Sequence, residues 1–190
     1  MRLLIFILSV AVSCASFAQT KKLKVESNHS TVGFKISISG FSVVSGKFND
    51  YALTMDWNDE DLTASNISAT IKVNSIDTGI EDRDKHLLTA DFFNAEAFPE
   101  IVFKSESIKK LDYSHYEAHG TLSMHGTTKD FVLPFQIVKV DGNTIGIQSR
   151  TSLNRLDYGI GSEFKHTTMP DFLSDKIEVE IDFWTKKRKE

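Results

Sequence analysis

Along most of this chain apolar and polar residues alternate, with the two-residue period of a strand that buries one face. In STVGFKISI the apolar set is Val32, Phe34, Ile36 and Ile38. YALTMDW repeats the pattern with Tyr51, Leu53, Met55 and Trp57, and NISATIKVNS repeats it with Ile67, Ala69, Ile71 and Val73. A blurred version around Ile101 and Phe103 covers residues 100–109. Three further segments carry Tyr116, Ala118, Gly120 and Leu122, then Phe131, Leu133, Phe135 and Ile137, then Ile145, Ile147, Ser149, Thr151 and Leu153. KIEVEIDFW is the cleanest, with Ile177, Val179, Ile181 and Phe183. Turn-forming residues mark the breaks: WNDED after Trp57, His125-Gly126, and Asp141-Gly142-Asn143.

The pattern predicts about eight antiparallel strands with one apolar face each and no helical layer to cover that face. Such strands roll their apolar faces together as a sandwich or a closed barrel. Strands near nine residues favour the barrel, and closure removes the exposed edges that make all-β chains aggregate. An eight-stranded barrel is either filled by its own side chains or wide enough for one small ligand. Alternation alone does not choose between the two.

One stretch, RDKHLLTADFFNAEAFPEIVFKS (83–105), breaks the period. Thr78-Gly79-Ile80-Glu81 has the Thr-x-x-Glu spacing of a capping box, which predicts a short helix over 81–88. Phe92, Phe93 and Phe98 follow as large apolar anchors, and Phe98-Pro99 returns the chain to extended structure. A helix-bearing connection in a barrel belongs across a mouth, as a lid with its apolar side to the lumen.

The N-terminus, MRLLIFILSVAVSCASFAQT, has one cation, an apolar run of about ten residues and small residues at Ser16 and Ala18. That is the layout of a secretory signal cleaved after Ala18, and the run is too short for a span of about 20 residues. It leaves residues 19–190 as a single domain, soluble and not integral to a membrane. The alternative is a lipoprotein signal with Cys14 lipidated, although Ala11 stands where such signals usually have leucine. Cys14 is the sole cysteine, so the mature chain has no disulfide. The net charge of −4 argues against nucleic acid, whose binding rests on basic patches.

Arg83, Asp84 and His86 suggest acid–base chemistry, yet Asp84 and His86 do not share a helix face, whereas Glu81/Lys85 and Asp82/His86 do at i,i+4. The block is expected to hold the lid, with Arg83 and His86 as candidate contacts to a ligand head group. His115, Glu117 and His119 share a strand face, but the two histidines lie roughly 13 Å apart at 3.3 Å per residue. Zinc ligands converge within about 2 Å of one ion, so no metal is expected there. His29, His125 and His166 sit at turns without clustered partners. WNDED reads as a solvated turn. NHS and NIS fit glycosylation sequons, and there is no Gly-x-Ser-x-Gly elbow, phosphate loop or EF-hand spacing.

Fourteen phenylalanines, twelve of them beyond residue 18, outnumber the two tryptophans and four tyrosines combined. Inward Phe and Ile on many strands, interrupted by Ser149 and Thr151, describe an apolar tunnel with few polar anchors, as ligand pockets are built. The candidate lumen residues are Phe34, Ile36, Leu53, Ile71, Phe92, Phe103, Leu133, Phe135, Ile147, Thr151 and Phe183. Arg155 continues the inner parity of Thr151 and Leu153 toward one end, so it must pair with Asp157 or the lid, or meet an anionic head group.

HSTVGFKI, SGKF, NSIDTGIEDRDKHLLTADFFNAEAFPEIVFKS, GTLSMHGTTKDFVLPF and LNRLDYGIG occur here in the order in which they mark the YceI-like family, which this chain resembles from about Val25 to Phe183. The resemblance implies a lipocalin-like antiparallel β-barrel, secreted or periplasmic, carrying a polyisoprenoid or related long-chain lipid without cofactor or enzymatic activity. Ser39-Gly40 stands where family members often have His-x-Gly, which leaves that rim contact open. The expected role is non-covalent lipid carriage or storage, compatible with a homodimer. The competing roles are an enzyme acting at the lid around Arg83 and His86, and a filled-barrel interaction module. Export is tested by intact mass: the mature chain is expected to start at Gln19 without an acyl group, and a diacylated Cys14 at its N-terminus would make it a tethered lipoprotein.

Overall fold

The computed structural model describes residues 21–58, 60–141, 144–169 and 171–187. The expected signal and Cys14 lie outside the described residues, as do Asp59 and Gly142-Asn143 of two expected turns. The strands are β1 (Lys21–Val25), β2 (Thr31–Ile38), β3 (Ser42–Phe48), β4 (Tyr51–Trp57), β5 (Asn66–Lys72), β6 (Ile76–Asp77), β7 (Glu100–Lys110), β8 (His115–Met124), β9 (Thr127–Asp141), β10 (Thr144–Asn154) and β11 (Leu173–Lys187). One α-helix, α1 (Glu81–Leu87), lies between β6 and β7.

Eleven hydrogen-bonded strands replace the expected eight because three of the eight are kinked. A 3-10 turn at Ser27–His29 splits β1 from β2, Asn49-Asp50 splits β3 from β4, and a 3-10 turn at Val73–Ser75 splits β5 from β6. Both halves of each kinked strand keep the same neighbours: β2 pairs with β3 and β1 with β4, while β4 pairs with β5 and β3 with β6. The chain therefore runs as eight antiparallel staves, each next to its predecessor. β3 escapes the alternation because Val43 and Val44 are adjacent and Gly46 occupies a wall position. Val44 lines the interior, whereas Val43 is 59% exposed.

The sheet closes on itself. Leu23 of β1 stands opposite Met55 of β4 on one side and Lys187 of β11 on the other. From β4 the ring continues through β5, β7, β8, β9, β10 and β11 back to β1. One end carries the β2–β3 hairpin, the 78–99 connection with α1, the β8–β9 hairpin and the 155–172 connection. His125 (φ 49°) and Gly126 (φ 74°) make the β8–β9 link, both in the left-handed region that a tight two-residue hairpin requires.

The opposite end is solid. Leu23, Met55, Trp57, Ile108, Tyr116, Ala118 and Ile145 are buried there, and Tyr116 stacks on Phe135 at 5.4 Å between ring centroids. Thr185 is fully buried among them, and its hydroxyl donates to the Ile145 carbonyl at 2.9 Å, so its polar atom is satisfied.

Two irregularities shape the wall. The β7–β8 register shifts between Ser105 and Ser107, which explains why the alternation blurs after Phe103 and resumes at Ile108. The Ser105 hydroxyl accepts the Ile67 amide at 2.8 Å beside the shift. Between β9 and β10 the ladder runs from Asp141–Thr144 to Gln136–Gln148, and above it the Ser149 hydroxyl donates to the Pro134 carbonyl at 2.6 Å.

Gly120 lies against the β7 irregularity, where an added Cβ would sit 2.0 Å from the Lys104 carbonyl oxygen and 2.6 Å from Ser105 Cα. Both are backbone atoms and cannot swing away. Gly120→Ala is expected to cost about 1–3 kcal/mol in urea unfolding, as overpacking does. Gly33→Ala, whose nearest neighbour is 3.5 Å away, should be close to neutral.

Candidate functional site

Above the solid end the staves enclose a cavity of about 520 Å³, within the roughly 300–1,000 Å³ of small-molecule pockets. Its wall follows from strand parity. On β11, Ile177, Val179, Ile181 and Phe183 face inward before Thr185 enters the packed end. On β10, Ile147, Ser149, Thr151 and Leu153 do so before Ile145. The barrel is both filled and hollow, divided across its length.

Every candidate lumen and head-group residue lies on this cavity: Phe34, Ile36, Leu53, Ile71, Phe92, Phe103, Leu133, Phe135, Ile147, Thr151 and Phe183, together with Arg83, His86 and Arg155. Phe34 occupies the space that a side chain at Gly46 would need, a Cβ there falling 2.3 Å from its ring, and it packs on Phe48 at 5.7 Å. Phe103 meets Phe131 edge-on at 6.3 Å, and Tyr51 meets Phe183 at 6.0 Å. Burial raises the Tyr51 phenol above its usual pKa.

The lid is held differently from its sequence expectation. Ile80, not Thr78, is the N-cap residue of α1, and no side chain caps the helix there. Glu81, the other half of the expected box, pairs instead with Lys85 at 2.6 Å. Thr78 binds further along the helix: its amide donates to Asp84 Oδ1 at 2.9 Å, and its hydroxyl donates to the same oxygen. Arg83 Nε donates to Thr78 Oγ1 and Nη2 to the Thr78 carbonyl, each at 2.7 Å. His86 turns away from Asp82, with its Nε2 3.2 Å from Asp91 Oδ2.

Two long connections meet over the mouth. Phe92 from the lid packs on Phe164 from the 155–172 connection at 5.2 Å, and the His86 ring stands edge-on to both. Leu87 lines the cavity and Phe93 stands edge-on to Phe48. Phe98 does not line the cavity; it packs on His125 at 5.1 Å, outside the lumen.

Arg155 is buried and stitches the second connection to β11. Its Nε donates to the Ser174 carbonyl, Nη1 to the carbonyls of Ile160 and Gly161, and Nη2 reaches Asp175 at 3.1 Å. Burial lowers its pKa, and Asp175 works against that shift. Asp157, its partner by sequence, pairs with Lys129 at 3.0 Å instead.

His115 and His119 each take a carboxylate neighbour, Asp112 at 2.8 Å and Glu117 at 3.0 Å. Among the described residues no group of three His, Cys, Asp or Glu side chains could hold a metal ion. Sequence reasoning missed Phe164 and Phe172, which line the mouth from an irregular connection without periodicity. Their only signal was two large aromatics within a polar stretch.

A closed antiparallel barrel, solid at one end and hollow and apolar under a lid at the other, is a lipocalin-like architecture. The chain belongs to the YceI-like family, whose domain model matches residues 23–184. A UPF0312 protein of Pectobacterium atrosepticum is 34% identical over 137 residues, covering 72% of this chain and 67% of that protein. BcnA of Burkholderia cenocepacia shares the fold with a TM-score of 0.77 at 19% identity, over 84% of this chain and 98% of BcnA. A polyisoprenoid binding domain from Saccharophagus degradans, implicated in plant cell wall breakdown, shares it with a TM-score of 0.70 at 16% identity, over 87% of this chain and 98% of that domain.

Replacing Arg155 with Met removes the donor from three carbonyls and Asp175 together. The expected loss is about 3 kcal/mol in urea unfolding, since each buried acceptor left unpaired costs about 1–3 kcal/mol. Arg155→Lys should recover little, because a single ammonium cannot span the same set.

Proposed function

We propose that this protein binds one long-chain lipid, a polyisoprenoid or a molecule of similar shape, non-covalently in the lumen. It acts outside the cytoplasm, in the periplasm or as a secreted protein, after removal of its signal, and carries or stores its ligand without turning it over. The observation that carries the proposal is the hollow part of the barrel: an enclosed space walled almost throughout by Phe, Ile, Leu and Val, running from the lid to Met55 and Phe183. An apolar chain entering it leaves water with a gain of roughly 0.8 kcal/mol per buried CH₂, so affinity needs few polar contacts. The polyisoprenoid binding domain of Saccharophagus degradans, with the same fold, supports this choice of ligand class. Among the described residues no helix is long and apolar enough to cross a membrane. One barrel is the proposed binding unit, and association into a homodimer is not required for it.

The lumen contacts are Phe34, Ile36, Leu53, Ile71, Phe92, Phe103, Leu133, Phe135, Ile147, Thr151 and Phe183. Phe103→Asp puts an unpaired carboxylate into this wall and should abolish lipid retention. Thr151→Phe fills space without adding charge and should reduce retention while preserving the fold. Lipid per mole of folded protein, from native and denaturing mass spectra of purified material, decides it. Retention of lipid by both folded variants would exclude the lumen as the binding site.

A further inference from the structure

Arg83 differs from Lys85 and Arg155 in having three of its five N–H groups unused. Lys85 is paired with Glu81, and Arg155 is engaged through Nε, Nη1 and Nη2. Arg83 uses only the edge formed by Nε and one Nη2–H, and both of those bonds go to Thr78. Its outer edge, both Nη1–H groups and the second Nη2–H, has no partner among the described residues, and no carboxylate pairs with it. The side chain is half-buried and borders the cavity.

This edge is held in place. The Thr78 hydroxyl gives its proton to Asp84 and takes the Nε–H of Arg83, so Asp84 orients Thr78 and Thr78 orients the guanidinium. The Asp84 carboxylate binds Thr78 and makes no direct ion pair with Arg83. A guanidinium fixed in plane, with its outer N–H groups bordering an apolar cavity, is set to meet an oxygen acceptor.

We infer that the outer edge of Arg83 seats the polar end of the ligand, and that this end is a singly charged oxygen acceptor of the carboxylate class, with its hydrocarbon chain running down the barrel. The inference rests on the lumen reading above. Two neighbouring N–H groups on a planar fork match the two oxygens of a carboxylate. Glu81, Asp82 and Asp91 on and beside the lid disfavour a doubly charged head. A neutral head would leave the guanidinium charge uncompensated.

The probes are geranylgeranoic acid, geranylgeraniol and the parent hydrocarbon, titrated separately into delipidated full-length protein. The wild type is expected to bind all three, the acid most tightly. Arg83→Met should weaken the acid by about tenfold or more, the weight of one charge-assisted hydrogen bond, weaken the alcohol less and leave the hydrocarbon unchanged. Arg83→Lys should recover part of the loss for the acid, because it keeps the charge without the fork. Asp84→Ala should also weaken the acid selectively, because it removes the acceptor that orients Thr78 and through it the guanidinium. Equal losses for all three ligands in Arg83→Met would make Arg83 a structural residue and overturn the inference, as would an unchanged affinity for the acid. If the wild type takes up none of the three, the lumen reading itself fails.

Discussion

The short strand β1 is paired along both edges, its first four residues with β4 and its last three with the end of β11. The rest of the molecule depends on that double pairing. Without it the other strands would form a curled sheet with two long edges and an apolar face open to water. With it, every inward side chain is enclosed, and the number of staves sets the bore. The kinks at Ser27–His29, Asn49-Asp50 and Val73–Ser75 let the first three staves bend around that bore while keeping register with their neighbours.

Within the closed wall, the size of the side chains decides what is solid and what is hollow. Met55, Trp57 and Tyr116 converge at one level and fill it. Above them Phe34 fills the space beside Gly46, and other aromatic rings meet in pairs, Tyr51 with Phe183 and Phe103 with Phe131. Two inward polar atoms in the wall are tied back to it, Ser149 to Pro134 and Thr185 to Ile145, so they do not compete for the lumen. The mouth is organised around two connections that need each other. Thr78, Arg83 and Asp84 shape one, Arg155 ties the other to β11, and Phe92 and Phe164 join them.

What the sequence made legible was the inner face. A period of two is itself the rule for which side chains point into a barrel, so the lumen residues from Phe34 to Phe183 could be chosen without knowing the pairing. The lid was legible because it broke that period with helix-forming residues followed by paired phenylalanines. The lost features had two causes, contacts that only the folded chain brings together and local residues that mask a strand's alternation. Thr78 turned to Asp84 rather than Glu81 because the chain leaves β6 at an angle that only the paired sheet determines. Arg155 found Asp175, twenty residues on, once the 155–172 connection had folded back. β3 was hidden because a valine pair and a glycine disguise its alternation. The level at which the barrel changes from solid to hollow was also illegible, since it depends on side chains from different staves meeting at one height.

That change of level separates the residues that hold the barrel together from those that shape its interior. Trp57, Tyr116, Ile145 and their neighbours form a core whose packing is independent of what the lumen holds, so the molecule has an anchor of stability that no ligand needs to touch. Residues above it can trade volume for shape, Phe for Leu or Thr for Val, with the wall still registered by the solid end below. Substitutions in the upper half can therefore reshape the lumen without disturbing the packing that holds the staves together below it.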